Sequence, residues 1–408
     1  MKTIICFSIS LLMIMFLSCS KTQDEILPTE PVIIDLTAEQ AGIVTNTNDF
    51  ALDIFRRIAA ASGEENIIIS PLSISTALSM TVNGAGGTTR QAMMEALKLD
   101  GISNDVLNQS YKELIKALTT VDRRVAIKIA NSVWTEKTFT ARKQFIDALN
   151  NFYDAEARSF DKSDPGAAAA VNRWIEDNTS GLIKNMLDRI DPDAVMLLIN
   201  AIYFKGQWQS EFNITKTSDA PFSLQDGRAI QVKMMRKEED IKMYSGNGFR
   251  MVELPYGQGN YVMDLLLPDA ADINLFIRNL NTESYNNIAS NLRVVKVRLG
   301  LPRFKYAYRK SLNEILSAMG MAVAFGDNAD FSGISDRQLF INRVLHQAYI
   351  ETNEEGTEAA AATIVEIGVT SLPETYVINF DRPFLYIIRE TTTNSIIFMG
   401  RVMNPSEG

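Results

Sequence analysis

Chemistry has few places to sit in this chain. His346 is the one histidine, and the two cysteines, Cys6 and Cys19, both fall in the first twenty residues. A zinc site built from several imidazoles is therefore excluded, and a Ser-His-Asp relay would have to be assembled around a single ring. No nucleophile motif surrounds His346, which sits between Leu345 and Gln347-Ala348 and reads as a hydrogen-bonded core side chain. Gly84-Ala85-Gly86-Gly87-Thr88-Thr89 has the glycines of a phosphate cradle, but it lacks the P-loop lysine and follows a helical stretch where that loop follows a strand. It reads as a turn between helices. Gly326-Asp327-Asn328-Ala329-Asp330 has acidic spacing without the central glycine and distal glutamate of a calcium loop, so it reads as a solvated loop. The residues call for no metal, no cofactor and no enzyme.

The informative segment, Glu354 to Pro373, carries no catalytic group at all. Its alanine run has high helix propensity. At period two it says something else: Thr357, Ala359, Ala361, Thr363, Val365 and Ile367 fall on one uncharged face, and Glu358, Ala360, Ala362, Ile364, Glu366 and Gly368 on the other, which holds both carboxylates. Such a segment can live as an exposed loop, or as a strand that enters a sheet with its uncharged face inward. Gly356 supplies the backbone freedom where it turns in.

The elements that must position this segment are legible around it. The chain has 408 residues, of which 46% are hydrophobic, enough for a large core, and 49 acidic against 40 basic residues give a net charge of −9. With no Lys/Arg cluster, that balance excludes a nucleic-acid surface. Phe50, Ile54 and Ile58 recur at helical spacing, Ser70-Pro71 supplies a cap and first-turn proline for a helix over 72–82, and Phe145, Leu149 and Phe152 mark another helix. Val195 to Phe204 is almost continuously apolar, as a strand buried on both faces is, whereas Val295, Val297, Leu299 and Leu301 alternate with polar or small residues. The class is α+β, and no linker after residue 46 divides it. Lys2 and the apolar run Ile4 to Leu17 read as an export signal, too short to span a bilayer. The run ends in Leu17-Ser18-Cys19, which resembles a bacterial lipobox with lipidation at Cys19; a plain secretory signal is the other reading. The expected organisation is a signal peptide over 1–18, a lipidated tether over 19–46 and a folded domain over 47–408.

The hinge-like segment resembles the reactive-centre loop of the serpins, the serine protease inhibitor family. Asn66 to Ile74, Gly84 to Thr89, Asn200 to Trp208, Phe380 to Phe384 and Phe398 to Val402 are similar to further family motifs in the same order, so the resemblance runs from about residue 47 to 405. It implies a single-domain fold with three β-sheets, eight or nine helices and an exposed loop. It implies a suicide-substrate inhibitor of serine endopeptidases, with cysteine endopeptidases as a further class. The target attacks the loop, and the cleaved loop inserts into the central sheet and holds the enzyme as a covalent complex. Carried over by position are a hinge over Gly356, Thr357, Glu358, Ala359, Ala360, Ala361, Ala362 and Thr363, a shutter of Ser70, Ser73, Asn200 and His346, and a breach tryptophan, Trp208. Thr357 is the first inward-facing hinge residue, expected to enter the sheet ahead of the rest. Counting from Gly356 puts the reactive bond at Thr370-Ser371, with Val369 as a neighbour. Counting back from the closing motif favours Leu372, because the stretch from Ser371 to Pro383 is longer than in typical members. Small β-branched residues there suit elastase-like or subtilisin-like targets. The expected protein is a monomer exported to the outer membrane, facing periplasm or exterior, touching membrane only through its anchor. A non-inhibitory serpin serving as a surface binding lipoprotein is the alternative.

Overall fold

The computed structural model describes residues 30–246, 248–269, 272–357 and 375–407. The signal peptide, Cys19, hinge residues Glu358 to Thr363 and the reactive-bond candidates Val369 to Leu372 lie outside them.

Nine α-helices occur among the described residues. Phe50, Ile54 and Ile58 line the buried face of the helix Ala38–Ala61. Ser70 caps the helix Pro71–Val82 by accepting the Ser73 N–H at 3.3 Å. Phe145 and Leu149 are buried on the helix Lys143–Tyr153. The glycine-rich stretch is a turn leading into the helix Gly87–Ala96, and the acidic loop packs onto it: the Gly86 N–H donates to the Asp330 carbonyl at 2.9 Å, and the Asp330 N–H donates to the Thr89 hydroxyl at 2.8 Å. Two motifs with no ligand chemistry thus have a shared structural role.

The central sheet has six strands in the order β10 (Phe304–Ser311), β11 (Leu345–Thr352), β12 (Gly356–Thr357), β4 (Met196–Gln207), β2 (Val125–Glu136), β3 (Ala155–Phe160). The second sheet has nine. Its order is β1 (Ile67–Ile69), β15 (Ile396–Val402), β14 (Phe384–Glu390), β8 (Tyr261–Pro268), β7 (Phe249–Tyr256), β6 (Ala229–Gly246), β9 (Arg293–Pro302) and β13 (Thr375–Asn379), with β5 (Ser218–Ser223) also on β6. Where three sheets are implied, two hydrogen-bonded sheets are present among the described residues. The reason is β6, whose first residues pair with β5, whose middle pairs with β9 and whose last residues pair with β7, joining what would otherwise be separate sheets.

The core lies between the sheets. Phe204 of β4 meets Tyr256 edge-on at 5.2 Å and Phe398 at 6.1 Å. On the opposite face of the central sheet, Val171, Trp174 and Ile175 of the helix Ala167–Asn178 pack with Trp134, Ile199 and Ala201. β4 is therefore buried on both sides, which explains its unbroken apolar run.

The expected tether boundary at residue 46 is too late. The first helix begins at Ala38, where Thr37 and Gln40 form a reciprocal capping box. The preceding residues are held too, the Val32 N–H donating to the Asn260 side chain at 2.8 Å and the Ile34 N–H to the Thr392 hydroxyl at 3.1 Å. A proline and the lack of a periodic pattern do not prevent a short extended segment from docking when the partner side chains lie hundreds of residues away.

Candidate functional site

The site is a slot in the central sheet. β12 runs antiparallel to both β11 and β4, so those two strands are parallel to each other, with a two-residue wedge between them. Gly356 pairs with Gln207 and Thr357 with Gly206 on one side, and Thr357 with Thr352 on the other. Gly356 has φ +150°, and a Cβ there would lie 2.2 Å from the Gly206 carbonyl oxygen, so no other residue fits. Thr357 is 3% exposed and points into the core, where its hydroxyl and that of Tyr256 share a hydrogen bond of 2.8 Å. The inward face is as expected. The timing is not: Thr357 already sits in the sheet of the uncut chain, because the tight turn Asn353–Glu355 delivers it there directly from β11.

The mouth of the slot is a cleft of about 1320 Å³. Trp208 stacks on Tyr256 with ring centres 4.3 Å apart and donates its indole N–H to the Asn353 carbonyl at 3.0 Å. The backbone N–H groups of Trp208 and Phe212 donate to the Glu355 and Glu354 carbonyls, each at 2.9 Å. The Glu354 side chain is buried and takes two bonds from Arg303, at 2.9 and 2.7 Å, and one from Thr217 at 2.5 Å. Burial alone would raise its pKa, but the guanidinium and the hydroxyl together hold it below the ordinary carboxylate value. Lys237, also buried, donates to the Ser210 carbonyl at 2.8 Å and lies 4.7 Å from the Phe212 ring centre; desolvation lowers its pKa. These contacts clamp the turn before β12 to the segment after β4.

Midway along the slot lie the shutter residues, and they form two separate groups. His346 accepts the Ser70 backbone N–H at 3.1 Å, and the Ser70 hydroxyl donates to the Ile397 carbonyl at 2.7 Å. Asn200 instead donates to Asn131 at 2.6 Å, which donates to the Tyr153 carbonyl at 2.8 Å. The Ser73 hydroxyl is buried without a partner among the described residues. Below them a second cavity of about 830 Å³ separates the start of β4, from Met196 to Asn200, from the approach to β11, from Gln338 to Leu345. Sequence reasoning missed Tyr256, Arg303, Asn131 and the role of Glu354. Only Glu354 carried a signal, as a carboxylate two residues before the glycine at which the chain turns into the sheet.

Comparison with known proteins matches this geometry to a family. The profile described as Serpin (serine protease inhibitor) matches residues 45–405. Leukocyte elastase inhibitor from Sus scrofa is 34% identical over 371 residues, covering 87% of this chain and 97% of that protein. Among solved structures, the native state of the thermophilic serpin tengpin superposes with a TM-score of 0.83 at 32% identity, covering 93% of this chain and 97% of that one. Human thyroxine-binding globulin, complexed with its ligand, superposes with a TM-score of 0.84 at 28% identity, covering 91% and 100%. The chain belongs to the serpin family. That is a family of protease inhibitors rather than enzymes, and the elastase inhibitor above is named for that activity.

Two outcomes follow from the clamps. Burial pushes the His346 pKa from 6.5 down to about 4, so the folded ring is neutral where the unfolded one takes a proton. Protonation would remove the acceptor for Ser70 and place a cation at the positive end of the helix Pro71–Val82. Stability should thus be fully present above pH 6.5 and fall by about 3 kcal/mol as pH drops towards 4, levelling off below. His346→Gln, which keeps an acceptor but does not titrate, should flatten that part of a urea-midpoint profile; an unchanged slope would place the titration elsewhere. Glu354→Lys should lower the thermal midpoint, since it removes charge-assisted bonds contributing about 2 kcal/mol and sets a like charge against Arg303. An unshifted midpoint in calorimetry would mean the mouth is held without it.

Proposed function

We propose that the chain is a suicide-substrate inhibitor of serine endopeptidases, anchored by a lipid at Cys19 on the outer membrane, and that its cleaved loop completes the central sheet. The observation that carries this reading is β12, a two-residue strand already in register at the mouth of a slot. Continued along β4 and β11, that register sets Ala359 between Phe204 and Ile350, Ala361 between Ile202 and Ala348, and Thr363 between Asn200 and His346. The alanines meet Phe204, Ile350 and Ile202, and the hydroxyl of Thr363 meets the two polar shutter side chains. The other face sets Glu358 between Lys205 and Glu351. Extended at about 3.3 Å per residue, Gly356 to Thr370 reaches roughly 50 Å, enough to carry an attached protease from the mouth past the lower cavity.

In this reading, the protease serine attacks the loop and forms an ester with it, releasing the new amino terminus. Hydrolysis of that ester then competes with insertion. Insertion proceeds by displacing the contacts of the shutter, and the uncut fold persists because the barrier is high rather than because it is the deepest state. Thr370-Ser371 is the favoured bond, Val369 and Leu372 the neighbours, and elastase-like or subtilisin-like enzymes the favoured targets, because no Lys or Arg lies between Gly356 and Pro373. The second reading, a ligand-binding serpin without inhibitory activity, is favoured only by the likeness to thyroxine-binding globulin.

Incubation with an elastase-like protease separates the two. The inhibitor should leave a complex stable in denaturing detergent, with a released carboxy-terminal peptide whose mass begins at Ser371; a binding protein should be cut, or left intact, with no complex. A peptide beginning at Pro373 would move the bond to Leu372. Thr357→Arg sharpens the test. The arginine is expelled from the seat that Thr357 holds in the uncut sheet, so insertion must first bury its guanidinium beside Tyr256 at an effective cost of several kcal/mol, and each 1.4 kcal/mol on that barrier slows insertion about tenfold. The variant should therefore be cleaved at the same bond and release active protease, whereas Glu358→Arg, on the outer face, should still trap. Undiminished trapping by Thr357→Arg would show that insertion does not limit the reaction.

A further inference from the structure

The segment ahead of the first helix leaves the body at a particular place. Asn260, fully buried, binds both backbone groups of Val32, accepting its N–H and donating to its carbonyl, each at 2.8 Å, and also donates to buried Glu390 at 2.9 Å. One amide side chain thereby acts as a strand partner for one residue of the strap. Pro31 lies against Gly259, whose φ is +96°; a Cβ there would meet Pro31 at 3.3 Å and the Gln209 side chain at 3.5 Å. The strap, the β7–β8 turn and the residue after Trp208 are thus in contact.

That turn also borders the slot. The Gly257 N–H donates to the Gln207 carbonyl at 2.8 Å, beside the pairing of Gly356, and neighbouring Tyr256 holds Thr357. The returning end of the loop is at the same pole: Ser210 bonds Glu239, Glu239 pairs with Val297, and Val297 with Tyr376 of β13. The far pole is the start of β4, beyond which Asp193 is exposed. On the strap, Ile33 is 74% exposed and Val32 42% exposed, two apolar side chains turned outward next to the route back to Cys19.

We infer that the mouth of the slot is the membrane-proximal pole and that the strap's apolar edge rests on the lipid surface. The inference rests on the lipid anchor at Cys19 proposed above. From Cys19 to Glu30 the chain spans at most about 40 Å when fully extended. A globular protease of some 250 residues is on the order of 45 Å across. The loop is therefore offered in a gap that a free enzyme enters only from the side, and the proteases it takes are those working at the membrane surface. Insertion then carries the captured enzyme outward, to the pole of Asp193.

Because the folded body contains no cysteine, a single thiol can be placed at either pole. The lipidated full chain carrying Tyr376→Cys or Asp193→Cys, labelled with a donor fluorophore, is reconstituted into phosphatidylethanolamine/phosphatidylglycerol vesicles containing an acceptor lipid. Energy transfer should be at least threefold stronger from position 376 than from 193, and equal or reversed transfer would overturn the orientation. Chain that fails to float with vesicles would overturn the anchor instead, and the inference with it. In a second measurement, vesicle-bound protein should inhibit soluble elastase at least tenfold more slowly than Cys19→Ala, and a forty-residue Gly/Ser insertion between Glu25 and Ile26 should restore the rate. Equal rates for floating and soluble forms, without the insertion, would show that the gap imposes no restriction.

Discussion

Everything in this molecule is arranged around two parallel strands that are neighbours in the central sheet without a ladder between them among the described residues. β4 and β11 each pair on their outer side, β4 with β2 and β11 with β10, and each meets only the two residues of β12 on the inner side. A backbone that has not found its partners is costly, and the cost is relieved only by another strand. The protein supplies the first two residues of such a strand, Gly356 and Thr357, from its own chain. The apolar faces above and below, Phe204 against Tyr256 on one side and Ile199 against the helix Ala167–Asn178 on the other, hold β4 in place beside the slot.

Holding such an arrangement requires restraints that are strong in aggregate and separable one by one. At the mouth the restraint is charged, a carboxylate and a guanidinium with a stacked indole beside them. In the middle it is neutral: one imidazole accepting one helix N-terminal N–H, and a pair of asparagines joining β4 to β2. The difference matters for how the sheet opens. Charged contacts at the mouth can be exchanged for water, whereas the buried neutral ones need new partners, and in the insertion proposed above Thr363 would bring a hydroxyl to them.

Much of this was readable beforehand, for reasons that are local. Period-four stripes such as Phe50, Ile54 and Ile58, the Ser70-Pro71 cap, and the inward face of Thr357 follow from geometry within a few residues. What escaped depends on partners distant in the chain. Residues 30–37, with no periodic pattern of their own, look like the end of a tether until Asn260 and Thr392 are folded beneath them. Ser70, Asn200 and His346 look like one cluster until the structure gives Asn200 to Asn131 and gives His346 to a backbone N–H. Nothing around Tyr256 marks it as the residue that receives Thr357. The three implied sheets became two because one strand, β6, is long enough to serve both.

The turn between β11 and β12 has a consequence for fidelity. Asn353 closes it twice, its N–H donating to the Gly356 carbonyl at 2.9 Å and its side chain accepting the Glu355 N–H at 3.0 Å. A strand offset by one residue exchanges its two faces, and here that would turn Glu358 and Glu366 into the core and Val365 and Ile367 out. In the insertion proposed above, the offset would be set by this three-residue turn before any bond is cut, so that the sheet would not have to search for its alignment while a chemical clock is running. The hairpin works as a key already seated in the lock, leaving only the distance it must travel to be decided.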